Sequence, residues 1–74
     1  MKNYILLTGS VTLAQKGKEF LQRRGINATL RRVQSGEIEG CGYGVVVTDR
    51  ALALAKTLFA EERIPIKAIR ELSQ

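Results

Sequence analysis

At 74 residues the chain is long enough for one small domain, and a core of that size leaves only about 3–5 kcal/mol of net stability, so help from self-association is expected. A hydrophobic fraction of 45% excludes a disordered chain, and no apolar run approaches the length of a membrane span. The net charge of +5 favours acidic partners, and a histidine count of 0 removes the commonest general base, which argues against a self-contained hydrolase and for a carrier or adaptor.

The opening Met1-Lys2-Asn3-Tyr4 lacks the apolar region of a signal peptide. The expected compartment is the cytoplasm, where a lone cysteine stays reduced. Residues 3–8 read as a first strand. Gly9-Ser10 breaks it, and Ser10 is a helix N-cap candidate. Leu13, Ala14, Gly17, Phe20 and Leu21 then fall on one helical face, and Gly25 ends the helix. Ile26, Ala28 and Leu30 alternate with Asn27, Thr29 and Arg31 as in a half-buried second strand. A polar loop, Gln34 to Gly40, leads to a Val-rich third strand, Tyr43 to Thr48.

Thr48-Asp49 offers a second N-cap, and Ala51, Leu52, Ala55, Leu58 and Phe59 form a second helical stripe. Arg63-Ile64-Pro65 closes that helix, and Ile66 to Leu72 is the last strand. A shift of about 38 residues lays the first helix on the second, so that Gly17 meets Ala55 and Phe20/Leu21 meets Leu58/Phe59. Two such units, 3–33 and 42–72, make a single ferredoxin-like α+β domain over residues 1–74. The expected order is βαββαβ: a four-stranded antiparallel sheet, strands 1 and 3 central, both helices on one face.

Cys41 is the only cysteine, and it sits between Gly40 and Gly42. Flanking glycines remove steric cover from the sulfur and let the backbone turn sharply. With no second cysteine and no histidine, Cys41 forms neither an intrachain disulfide nor a self-sufficient zinc site. Its residue-level readings are a nucleophile, a carrier, a redox-sensitive thiol or a small apolar filler. The topology places it near Gly9-Ser10, where free N–H groups and the helix dipole favour a thiolate. Arg32, leaving strand 2, and Arg63, before strand 4, are expected at the same end and would make that rim electropositive.

The chain resembles the family of small selenium/sulfur carrier-like proteins. The resemblance runs over nearly the full length. It rests on Thr12-Leu13-Ala14 opening a helix, Phe20-Leu21-Gln22-Arg23-Arg24-Gly25-Ile26, Gly40-Cys41-Gly42-Tyr43-Gly44, Ala51-Leu52-Ala53-Leu54 and Ile64-Pro65-Ile66. The Cys-Gly pair is the most specific element. It implies a carrier cysteine at Cys41 that holds a persulfide or selenopersulfide. The donor would be a partner such as a cysteine desulfurase, since no lysine-centred cofactor site is identifiable in this chain, and the acceptor is unspecified. No metal or cofactor is expected.

Two other binding modules share the topology. Cys41-Gly42-Tyr43-Gly44-Val45-Val46-Val47-Thr48 partly matches the RNA-recognition-motif octapeptide, with Tyr4 as a second stacking residue. It departs where that pattern needs a basic residue (Cys41) and aromatics (Val45, Thr48). A ligand-binding module of the ACT type would instead use Gly9-Ser10 for a carboxylate. Strands 1 and 3 are apolar at both parities while helices cover one face, so the sequence predicts an apolar open face and a homodimer through it. Arg31 and Lys67 are the long side chains placed to shield such a face.

Overall fold

The local signals set the elements. Strand β1 is Asn3–Leu7, helix α1 Val11–Arg23, strand β2 Thr29–Val33 and strand β3 Gly42–Thr48. A single 3-10 turn, Asp49–Ala51, leads into helix α2, Leu52–Glu61, and strand β4 is Ala68–Leu72. The computed structural model describes residues 2–33 and 42–72. Cys41 and Gly40, together with the rest of 34–41, lie outside the described residues.

The four strands form one sheet in the order β2-β3-β1-β4, antiparallel at every contact. The central pair is therefore β1 and β3, as the α+β ferredoxin-like reading requires. Leu6 stands opposite Val45 and Ile69, while Ile5 stands opposite Val46 and Arg70. Strand alternation sends these two rows to opposite faces. Leu6, Val45 and Val47 join Ala14 and Leu21 of α1 and Ala55, Leu58 and Phe59 of α2 in one core. Both helices thus lie on one side. The stripes at helical spacing predicted this contact, and Gly17 makes it close. A methyl group built on Gly17 would stand 2.5 Å from Phe59 Cζ, so the missing side chain is the space that the ring fills.

Each helix is held at its ends by backbone geometry. Ser10 is extended (φ −145°, ψ 150°), and its Oγ accepts a hydrogen bond from the Leu13 N–H at 3.2 Å. At the other end the Ile26 N–H donates to the Leu21 carbonyl and the Gly25 N–H to the Gln22 carbonyl, both at 3.0 Å. This is a Schellman cap turning through Gly25 at φ 79°. Thr48 differs from Ser10: its side chain caps nothing, and Asp49 instead donates its N–H to the Lys2 carbonyl at 2.9 Å.

Two strands begin later than their sequence patterns. Ile26 and Ala28 are buried as the alternation predicts, but the Ile26 N–H is committed to the α1 cap and the Ala28 carbonyl to Gln22 Nε2 at 3.0 Å. The ladder with β3 therefore starts at Thr29. Before β4, Ile64 and Ile66 belong to the helix-side core, whereas Ala68 packs with Ile5 and Leu7 on the other face. The change of face falls before the strand, which explains the conflicting parities of Ile64, Ile66, Ala68 and Ile69.

On the open face, Ile5 and Leu7 are only 2% and 4% exposed although no helix covers them. Ile5 lies down across Gly44, since a methyl group there would meet Ile5 Cγ1 at 2.5 Å. Val46, Ala68 and Leu72 complete this second cluster, each partly buried. The apolar row legible in the sequence is thus largely folded in by the chain itself, and the area left for a partner is smaller than parity implies. Among the described residues no helix is long and apolar enough to cross a membrane.

Candidate functional site

One end of the sheet gathers the turn after β1, the start of β3 and the approach to β4. The pairing of Leu7 with Gly44 continues one step through Thr8, whose N–H donates to the Tyr43 carbonyl at 3.1 Å. That step brings Gly42 against Gly9: a methyl group on Gly42 would lie 3.4 Å from Gly9 Cα. The sequence expectation that the start of strand 3 adjoins Gly9-Ser10 holds at Gly42. What Cys41 and Gly40 do there lies outside the described residues.

Gly9 has φ 87°, a conformation that side chains rarely adopt, and it makes the sharp exit from β1 into α1. The turn is braced by Thr8, which is 1% exposed. Its hydroxyl is within hydrogen-bonding range of two carbonyls, Ser10 at 3.0 Å and Tyr43 at 3.3 Å, and donates its proton to one at a time. Thr8 therefore ties the α1 N-terminus to the β3 start, a role its place at the end of an apolar strand did not announce.

Lys67 is the cation that lies on this turn. A methyl group on Gly9 would meet Lys67 Cε at 2.8 Å and Nζ at 2.9 Å. The aliphatic stem crosses the bare glycine and leaves the ammonium beside Gly9, just before the Ser10 cap of α1. The Lys67 N–H donates to the Leu7 carbonyl at 2.7 Å, which fixes the residue beside Thr8 and Gly9. The antiparallel register of β4 on β1 was the signal that placed Lys67 here, one residue before Ala68 and opposite the end of β1.

The two arginines expected at this rim are both exposed, and neither supplies the atoms nearest Gly9. Arg32 is the cross-strand neighbour of Tyr43 and is exposed. Arg63 is exposed just after α2 at φ 57°, with its N–H donated to the Ala60 carbonyl. Contact with Gly9 belongs to Lys67. The electrostatic sum at this end is a helix N-terminus with an ammonium beside it, suited to a small anion.

Tyr4 and Tyr43 do not make an open-face platform. Tyr43 packs against the helix-side core, and Tyr4, opposite Val47, shares that parity. The open face carries Ile5, Leu7, Gly44 and Val46 at the centre instead. Stacking of bases across β1 and β3 therefore has no aromatic there to use. Among the described residues no group of three or more acidic or thiol side chains is placed to hold a metal ion. Comparison of the chain with protein-family models, with curated proteins and with solved structures finds no match.

Proposed function

We propose that the protein is a sulfur or selenium carrier, a member of the carrier-like family it resembles, that holds the transferred atom on Cys41. The observation that supports this reading most is the contact of Gly42 with Gly9 under Lys67. Gly42 follows Cys41 directly, so Cys41 is one residue from backbone that lies beside the α1 N-terminus and an ammonium group. Both favour the thiolate needed to accept an atom and the terminal anion that results.

The step balances without an external oxidant. The Cys41 thiolate attacks the terminal sulfur of a donor persulfide. A bond forms between Cys41 Sγ and that sulfur, the donor's S–S bond breaks, and the donor leaves as a thiolate. The reverse exchange delivers the atom to an acceptor. The donor is a partner protein such as a cysteine desulfurase, the setting is cytoplasmic, and the chain itself is a carrier, with no cofactor of its own.

Intact-mass spectrometry after incubation with a cysteine desulfurase and cysteine tests the reading. A one-sulfur adduct that reductant removes, absent from Cys41→Ser and slower to form in Lys67→Met, is the expected result. Alkylation of Cys41 no faster than that of a free cysteine peptide near neutral pH, with no adduct, would overturn it.

A further inference from the structure

The two helices differ on the sides turned away from the sheet. Helix α1 presents Gln15, Lys16, Glu19, Gln22 and Arg23 to solvent. Helix α2 exposes Lys56 on one flank and, beside it, the uncharged stripe Ala53, Leu54, Thr57 and Ala60, and Leu54 at 50% is the most exposed large hydrophobic residue among those described. An amphipathic helix on a small domain normally turns charge outward, so an uncharged stripe over two turns is a candidate contact surface.

The charges at the ends of that face say what covers it. Arg50 is exposed in the turn before α2, and Glu61 is exposed in its last turn. Glu61 lies seven positions after Leu54 and four after Thr57, on the same side of α2, and Arg50 lies in the 3-10 turn four positions before Leu54, so the two charges bracket that stripe. Lys56 leaves on the opposite flank. We propose that this face of α2 is a self-association surface and that its occupant is α2 of a second copy, packed antiparallel across a twofold axis.

The arrangement is self-complementary. A twofold antiparallel pair brings Arg50 of each copy alongside Glu61 of the other, giving two equivalent ion pairs. The helix dipoles oppose, and Ala53, Thr57 and Ala60 let the backbones approach while Leu54 is buried. The open sheet face offers less, because Ile5 and Leu7 are already covered and Arg31 stands there opposite Gly44. One helix face is smaller than a standard stable interface, so the proposed dimer is a weak one.

Sedimentation equilibrium from low to high micromolar concentration tests this, with circular dichroism to confirm folding of each variant. The wild type is expected to dimerise, and Arg50→Glu and Glu61→Arg each to weaken the dimer about tenfold by setting like charges opposite each other. The double exchange, Arg50→Glu with Glu61→Arg, should restore association to within about threefold, and Leu54→Asp should abolish it. A monomer at every concentration would overturn the proposal. So would a dimer that ignores these changes and is lost with Val46→Asp on the open face.

Discussion

Both helices end in the same hydrogen-bond pattern, but one turns through glycine and the other through arginine. After α1 the bonds run from Gly25 to Gln22 and from Ile26 to Leu21; after α2 they run from Arg63 to Ala60 and from Ile64 to Phe59. The positive φ is 79° at Gly25 and 57° at Arg63. In both halves an isoleucine follows and packs into the helix-side core. The repeat therefore lives in the cap geometry and the buried isoleucine, and it tolerates a residue that is strained by about 1 kcal/mol at the turning position. At these C-terminal caps the halves are equivalent in backbone and unequal in stored strain.

The helix–helix contact is where the inequality has the largest effect. Half one contributes Gly17 and Leu21, half two Ala55 and Phe59, all in the shared interior. Putting a leucine at Gly17 drives several carbons into the Phe59 ring and is expected to cost about 3 kcal/mol, most of what a domain this small has to lose. A more telling change makes the halves alike. Gly17→Ala crowds the ring, Phe59→Leu leaves a gap, and the double variant recreates the Leu21/Ala55 pairing. The double-mutant cycle should show a favourable coupling of about 1 kcal/mol by urea denaturation. Additive effects would mean that the interior adjusts independently on the two helices.

Exchange of the cap residues comes next in size. Gly25→Arg imposes on the first half the strain already present in the second and should cost about 1 kcal/mol. Arg63→Gly should stabilise by about 0.5 kcal/mol, since relief of the left-handed strain exceeds the greater freedom that glycine gives the unfolded chain. Equal and negligible shifts in the urea midpoints would show that the cap residue does not matter at either end. Loss of stability in Arg63→Gly would reveal a side-chain contact that outweighs the strain.

The sequence made this architecture legible through agreement between levels. Helical stripes, two breaks at Gly9 and Gly25, and a shift that superposes large residues on small ones all pointed to one topology. Element boundaries were less legible, because they depend on where backbone groups find partners. Ile26 and Ala28 look like strand by alternation, yet their N–H and C=O groups are taken by α1 and by Gln22. The candidate site was legible as a place and only partly as a set of residues. Gly9, Ser10 and Gly42 follow from topology, whereas Lys67 reaches Gly9 through the register of an edge strand whose start the apolar pattern did not mark. The exposure of the open face was not legible for a physical reason: Gly44 gives Ile5 room to lie flat, and a parity count cannot register how deeply a side chain is covered.

The smallest effect separates the two helix starts. Ser10 accepts from the Leu13 N–H, so Ser10→Ala removes one of the few partners available to the first turn of α1 and should cost about 1 kcal/mol. Thr48 occupies the corresponding place in the second half, yet its hydroxyl caps nothing, and the 3-10 turn at Asp49–Ala51 enters α2 through a backbone bond to Lys2. Thr48→Ala should therefore change stability by less than about 0.5 kcal/mol, as expected of a site without such a feature. The Ser10 change also acts at the proposed anion site, so its effect on folding has to be measured first, by urea titration of Cys41→Ser and of the Ser10→Ala/Cys41→Ser double variant. Equal losses at Ser10 and Thr48 would mean that the second helix depends on a side-chain cap after all, and the asymmetry between the halves would then be confined to their C-terminal ends.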